Sequence, residues 1–89
     1  MLRQRVMRAP DRFVEIVVWH LPEPLRGSTH EFKYRLAFVV DDVCVLRFDN
    51  EAGKGDHRHV GRRQTGYVFT TLTQLIEDFW QAVEKWSAE

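Results

Sequence analysis

Apolar and polar positions alternate along residues 30–40, with Phe32, Tyr34, Leu36, Phe38 and Val40 on one side and Glu31, Lys33 and Arg35 on the other. A period of two belongs to an extended chain whose successive side chains point to opposite faces, so this segment predicts a half-buried β-strand. The run RFVEIVVWHL at 12–21 is denser: Val14, Ile16 and Val18 share one face, and Phe13, Val17 and Trp19 share the other. Apolar residues on both faces predict a central strand, or a strand with one face given to a subunit contact. PEPLRGST at 22–29 breaks the pattern with two Pro and a Gly and reads as a loop. Asp41-Asp42 then sits where a tight hairpin turn is expected, with VCVLRF at 43–48 as the return strand. Two registers fit. A two-residue loop puts Arg47 and Asp49 on the face of Tyr34 and Leu36, whereas a three-residue loop puts Leu46 and Phe48 there.

Beyond a polar stretch at 49–59, GRRQTG at 61–66 reads as a turn between His59-Val60 and a short YVFT strand at 67–70. From Thr71 the period becomes helical. Leu72, Leu75, Ile76, Phe79, Val83 and Trp86 follow the three-and-four spacing of one stripe, with Trp80 at its margin, and Thr71-x-x-Gln74 fits a capping box. The pattern predicts one α+β domain over 1–89. A basic arm at 1–11 leads into an antiparallel meander of about four to five strands at 12–70, and one C-terminal helix at 71–86 packs on a face.

Composition narrows the function classes. Thirteen basic and thirteen acidic residues cancel, so nothing marks the whole chain as a polyanion binder. The distribution is uneven: Arg3, Arg5, Arg8 and Arg12 against Asp11 leave +3 over 1–12, and residues 47–63 carry +2. Residues 71–89 carry −3. Ten of the thirteen cations are Arg, whose planar fork suits bidentate phosphate or carboxylate contacts. The single Cys44, between Val43 and Val45, excludes an internal disulfide and reads as a buried, inert thiol. With no apolar run of membrane-spanning length and no signal-peptide pattern, a cytoplasmic protein is expected. The apolar surface of strand 12–21 exceeds what one helix covers, which leads to the expectation of a homodimer.

Candidate chemistry concentrates in RFDNEAGKGDHRHVG, Arg47 to Gly61. Gly53-Lys54-Gly55 lacks the spacing of a phosphate loop and reads as a turn. His57 and His59 point to the same face if the segment is extended, with Arg58 on the other. Two imidazoles side by side suit paired acid/base work, of which RNA cleavage through the 2′-OH is the simplest case. Lys54, Arg47 or Arg58 would then neutralise phosphorane charge, and no cofactor is required. A metal-dependent nuclease is the rival, with a divalent ion on His57, His59 and Asp49 or Asp56. A third reading is structural, with the imidazoles bonded to backbone or to Asp56 and with Asp49-Asn50 capping a turn.

YRLAFVVDDVCVLRFDNEAGKGDHRHVG followed by YVFTTLTQLIEDFW resembles the TumE-like toxins of bacterial toxin–antitoxin pairs, from Tyr34 to Trp80. R-F-D-N, G-K-G-D-H-R-H and L-x-x-L-I-x-D-F are the most specific elements; Asp41-Asp42 departs from the Asp-Gly that family members often have in the hairpin turn. The resemblance implies a small cytoplasmic protein paired with a co-encoded antitoxin of helix-turn-helix type and acting on RNA or translation. It carries Asp49, Asn50, Lys54, Asp56, His57 and His59 over as site residues. On that basis an endoribonuclease-type toxin is expected. His57 and His59 form the acid/base pair, Asp49 or Asp56 orients one imidazole, and Lys54 with Arg58 or Arg47 grips phosphate. Asn50 stands beside them, and Arg62 and Arg63 extend the RNA track. The competing class is a module that binds nucleic acid or protein without chemistry.

Overall fold

The structure, a computed structural model, describes residues 1–88. Six strands run antiparallel and in chain order: β1 (Leu2–Ala9), β2 (Arg12–His20), β3 (Phe32–Val40), β4 (Val43–Glu51), β5 (Gly55–Val60) and β6 (Arg63–Gly66). One helix, α1 (Leu72–Ala88), covers one face. The α+β meander expected from the alternation is present, with six strands in place of four to five. Two corrections account for the difference. Residues 2–9 are not a free arm but an edge strand paired with β2 from Leu2↔Val18 to Ala9↔Arg12. The polar stretch 49–59 is not a loop but the end of β4, a tight turn, and most of β5. Residues 67–70, expected as a strand, form an irregular link into α1, tied to β5 by the Tyr67 N–H on the Asp56 carbonyl at 3.0 Å.

The core lies between the helix and one sheet face. Val14, Ile16 and Val18 of β2 pack beside Tyr34, Leu36, Phe38 and Val40 of β3 and Leu46 and Phe48 of β4. From above, α1 inserts Leu75, Phe79 and Val83, one residue per turn, all fully buried. Phe79 meets Phe48 edge-on at 5.6 Å. Ile76, expected in the stripe, is only half-buried. Thr71 Oγ1 accepts the Gln74 N–H at 3.0 Å, as an N-cap does. The Gln74 amide donates to Asp78 Oδ1 rather than back to Thr71, so half of the expected capping box forms. Arg8 pairs with Glu84, and Arg8 and Arg12 lie over the rings of Trp80 and Trp86, so the β1–β2 hairpin clamps the helix from one side.

The β3–β4 hairpin combines both expected registers. Asp41 and Asp42 take φ of 49° and 65°, the left-handed pair of a two-residue type I′ turn, which short polar side chains tolerate. Such a turn alone would place Arg47 and Asp49 under the helix. The register shifts by one residue, because Val39 faces Cys44 whereas Phe38 faces Leu46. That bulge turns Leu46 and Phe48 into the core and Arg47 and Asp49 out of it. Cys44, between turn and bulge, is exposed and not buried as its strand position suggested.

Among the described residues nothing forms a second layer on the other sheet face. By the register it presents Arg3 and Arg5, then Glu15, Val17 and Trp19, then Lys33, Arg35 and Ala37, then Arg47 and Asp49, then His57 and His59. Val17 and Ala37 are nonetheless buried within the single chain, at 4% and 1% exposure, shielded by their long neighbours. Glu15 lies between two cations on this face, 3.0 Å from Arg5 Nη2 and 3.9 Å from Arg35 Nη1.

Candidate functional site

β4 and β5 are joined by three residues, Ala52 to Lys54, in a turn closed by the Lys54 N–H on the Glu51 carbonyl at 3.1 Å. Gly53 supplies the positive φ of 77° that the turn demands, and its N–H donates to the Arg26 carbonyl of the 22–31 loop at 2.7 Å. A Cβ at Gly53 would stand 2.9 Å from Arg26 Nη2, the end of an exposed and flexible side chain that can move aside, so the positive φ is what calls for glycine there. Gly53-Lys54-Gly55 is therefore a turn, as its spacing suggested. Beyond it the period of two divides GDHRHV between the faces, sending His57 and His59 to the open face and Asp56 and Arg58 to the helix side.

On the open face, Asp49 faces His57 across the ladder and Arg47 faces His59, framing a small recess of about 150 Å³ with Glu51, Lys54 and Gln64. The two imidazole centroids are 6.4 Å apart. His59 Nε2 lies 3.2 Å from Arg47 Nη2 and 3.4 Å from Asp49 Oδ1. Arg47 Nε sits 3.0 Å from Asp49 Oδ2 but off the line of its own N–H, so the contact is an ion pair and the buried Nε–H has no aligned acceptor. His57 Nε2 is 2.6 Å from the Lys54 carbonyl, which can only accept, so the ring proton sits there; Nδ1 accepts from the Gln64 amide at 3.2 Å. Lys54 is exposed at the rim and pairs with Glu51 at 3.3 Å.

The remaining candidates lie elsewhere. Asp56 is on the helix side, where its Oδ2 accepts both the Tyr34 hydroxyl at 2.6 Å and His30 Nε2 at 2.8 Å. His30 Nδ1 accepts the Phe32 N–H, which fixes the ring proton on Nε2, and Phe69 stacks on the ring at 3.7 Å. Asp56 thus orients His30 and not His57 or His59. Burial, and then the hydrogen bond to Asp56, push the Tyr34 phenol far above its usual range. Asn50 is 1% exposed; its Oδ1 accepts the Tyr34 N–H at 3.0 Å and its Nδ2 donates to the Phe32 carbonyl at 2.7 Å. Its amide extends the β3–β4 ladder past Asp49 and has no reach to the open face. Arg58 lies over Phe48 at 5.8 Å, and Arg62 and Arg63 occupy the β5–β6 turn and the start of β6. Among the described residues no three of His, Cys, Asp and Glu stand together in a group that could hold a metal ion.

His30, Tyr34 and Gln64 were not among the sequence candidates. His30 and Asp56 are 26 positions apart, and no local spacing joins them. Gln64 faces His59 across a two-residue turn, so the Gly61-Arg62 turn was the available clue. Among the described residues no helix is long and apolar enough to cross a membrane. No curated protein and no solved structure matches the chain. A family model described as toxin TumE matches residues 2–87.

Proposed function

Because the chain belongs to the TumE toxin family, and is therefore the toxin component of a toxin–antitoxin pair with a cognate antitoxin as its partner, we propose that it acts in the cytoplasm on RNA and cleaves it with His57 and His59. The observation that carries the proposal is the pair of neighbours at His59 Nε2. A bare nitrogen accepts from Arg47, and a protonated ring has the Asp49 carboxylate 3.4 Å away as its ion-pair partner, so the ring keeps a neighbour suited to it on either side of a proton transfer. Gln64 gives His57 the same freedom, since an amide can turn from donor to acceptor toward Nδ1.

In this scheme His59 takes the 2′-OH proton as the 2′-oxygen bonds to the adjacent phosphorus. Protonated His57 gives its proton to the 5′-oxygen as the P–O5′ bond breaks, leaving a 2′,3′-cyclic phosphate and a 5′-hydroxyl. Arg47, with Lys54 at the rim, offsets the phosphorane charge. Changing His57 and His59 together to Ala should lower cleavage of single-stranded RNA by about 10²–10⁴-fold. A doubly substituted protein that cleaves at the parent rate would sink the scheme. A non-catalytic binding role has one observation in its favour, the full use of both His57 nitrogens within the chain. It predicts that the same double variant still arrests growth when expressed.

A further inference from the structure

On the helix side, α1 covers β2 to β4 but not the β5–β6 hairpin, and a groove runs between them. It consists of recesses of about 190, 360 and 360 Å³ that share Arg58 as a common wall. Its floor is apolar, from Leu46, Val60 and Trp86, and Val60 remains 40% exposed. Its rim is cationic, from Arg58, Arg63 and Lys85, all exposed. Arg58 and Arg63 make no ion pair among the described residues. The one carboxylate lining the groove among the described residues, Asp78, already accepts from the Tyr67 hydroxyl and the Gln74 amide.

From this geometry we infer that the groove is a docking site for an acidic, amphipathic segment of the cognate antitoxin. The segment's apolar side chains fill the floor and its carboxylates meet Arg58, Arg63 and Lys85. Exposed cations around an apolar floor want a ligand with both characters. A peptide fits better than RNA, because the two rings lining the groove, Trp86 and Tyr67, are already packed against neighbours, Tyr67 edge-on with Phe48 at 5.3 Å. Trp86 is edge-on to Phe38 at 5.5 Å, and Arg12 lies over it at 6.0 Å. The groove is on the opposite side of β5 from His57 and His59, so the inference stands independently of the RNA chemistry.

The test is co-expression of the full chain with its operon-encoded antitoxin, purification of the complex, and titration calorimetry of the separated partners. Arg58→Glu/Arg63→Glu/Lys85→Glu should weaken binding on the order of 100-fold. Arg63→Glu/Lys85→Glu, which spares the contact of Arg58 with Phe48, should weaken it less and leave the melting temperature unchanged. Arg35→Glu on the open face should bind as the parent does. Unchanged affinity in both groove variants would overturn the inference. So would a triple variant that keeps the antitoxin and loses RNA, or one that alters only self-association.

Discussion

Two histidine–carboxylate pairs stand on opposite sides of the same sheet edge, and they differ in how completely they are closed. His30 and Asp56 are 2.8 Å apart with side chains 8% and 12% exposed, and every ring nitrogen has one fixed partner. His59 and Asp49 are 3.4 Å apart, with His59 23% exposed and an arginine competing for the same nitrogen. The first arrangement has one protonation pattern that satisfies it, which suits a structural lock between the 22–31 loop, β3 and β5. The second has two, which suits proton exchange. Residue types alone would not separate them; the number of partners per nitrogen does.

The largest expected effect falls on the closed pair. Asp56→Ala leaves the Tyr34 hydroxyl and the His30 Nε2–H without their acceptor in a nearly dry site, and should cost about 3 kcal/mol in urea unfolding. Asn50→Ala strands the Tyr34 N–H and the Phe32 carbonyl and should cost about 2 kcal/mol by the same measurement. A smaller effect should appear with alkali. Burial raises the Tyr34 and Tyr67 phenols in the folded chain, with hydrogen bonds to Asp56 and Asp78 adding to it. Below the ordinary tyrosine range both states hold these protons and stability is unaffected by them. Above about pH 10 the unfolded chain releases them while the folded chain keeps them, so stability falls by roughly 1.4 kcal/mol per pH unit for Tyr34 and by less for the more solvent-open Tyr67. Tyr34→Phe should make that alkaline slope shallower, and an unchanged slope would mean that Tyr34 is not held neutral.

Much of the fold was legible because alternation and the helical stripe report directly on burial. Phe32 to Val40 and Leu75, Phe79 and Val83 fall where the pattern puts them. The first strand was not legible, because an edge strand buries little: of Leu2 to Ala9 only Val6 and Ala9 are even half-buried. The β4–β5 hairpin was hidden for another reason. Polar side chains on both faces mimic a loop, and β4 persists through Asn50 because its amide does the work of a backbone group. At the site, the period of two correctly put His57 and His59 together and Arg58 apart from them. It could equally have separated Asp56 from the histidines, had the segment been read as a strand from Gly55. The partner His30 is a tertiary fact, supplied by a loop folding back across 26 residues.

The division of labour between the two pairs is tested most directly by Asp49→Asn, with RNA cleavage and the urea midpoint measured on the same preparation. Asp49 is the carboxylate beside His59, 3.4 Å from its Nε2, and carries none of the closed pair's bonds. The expected result is a cleavage rate lower by about 10–100-fold with a midpoint shift small beside that of Asp56→Ala, because Asn keeps an oxygen facing Arg47 where the ion pair was. Cleavage at the parent rate, or a loss that only follows a collapsed midpoint, would contradict the assignment of proton exchange to His59 and Asp49.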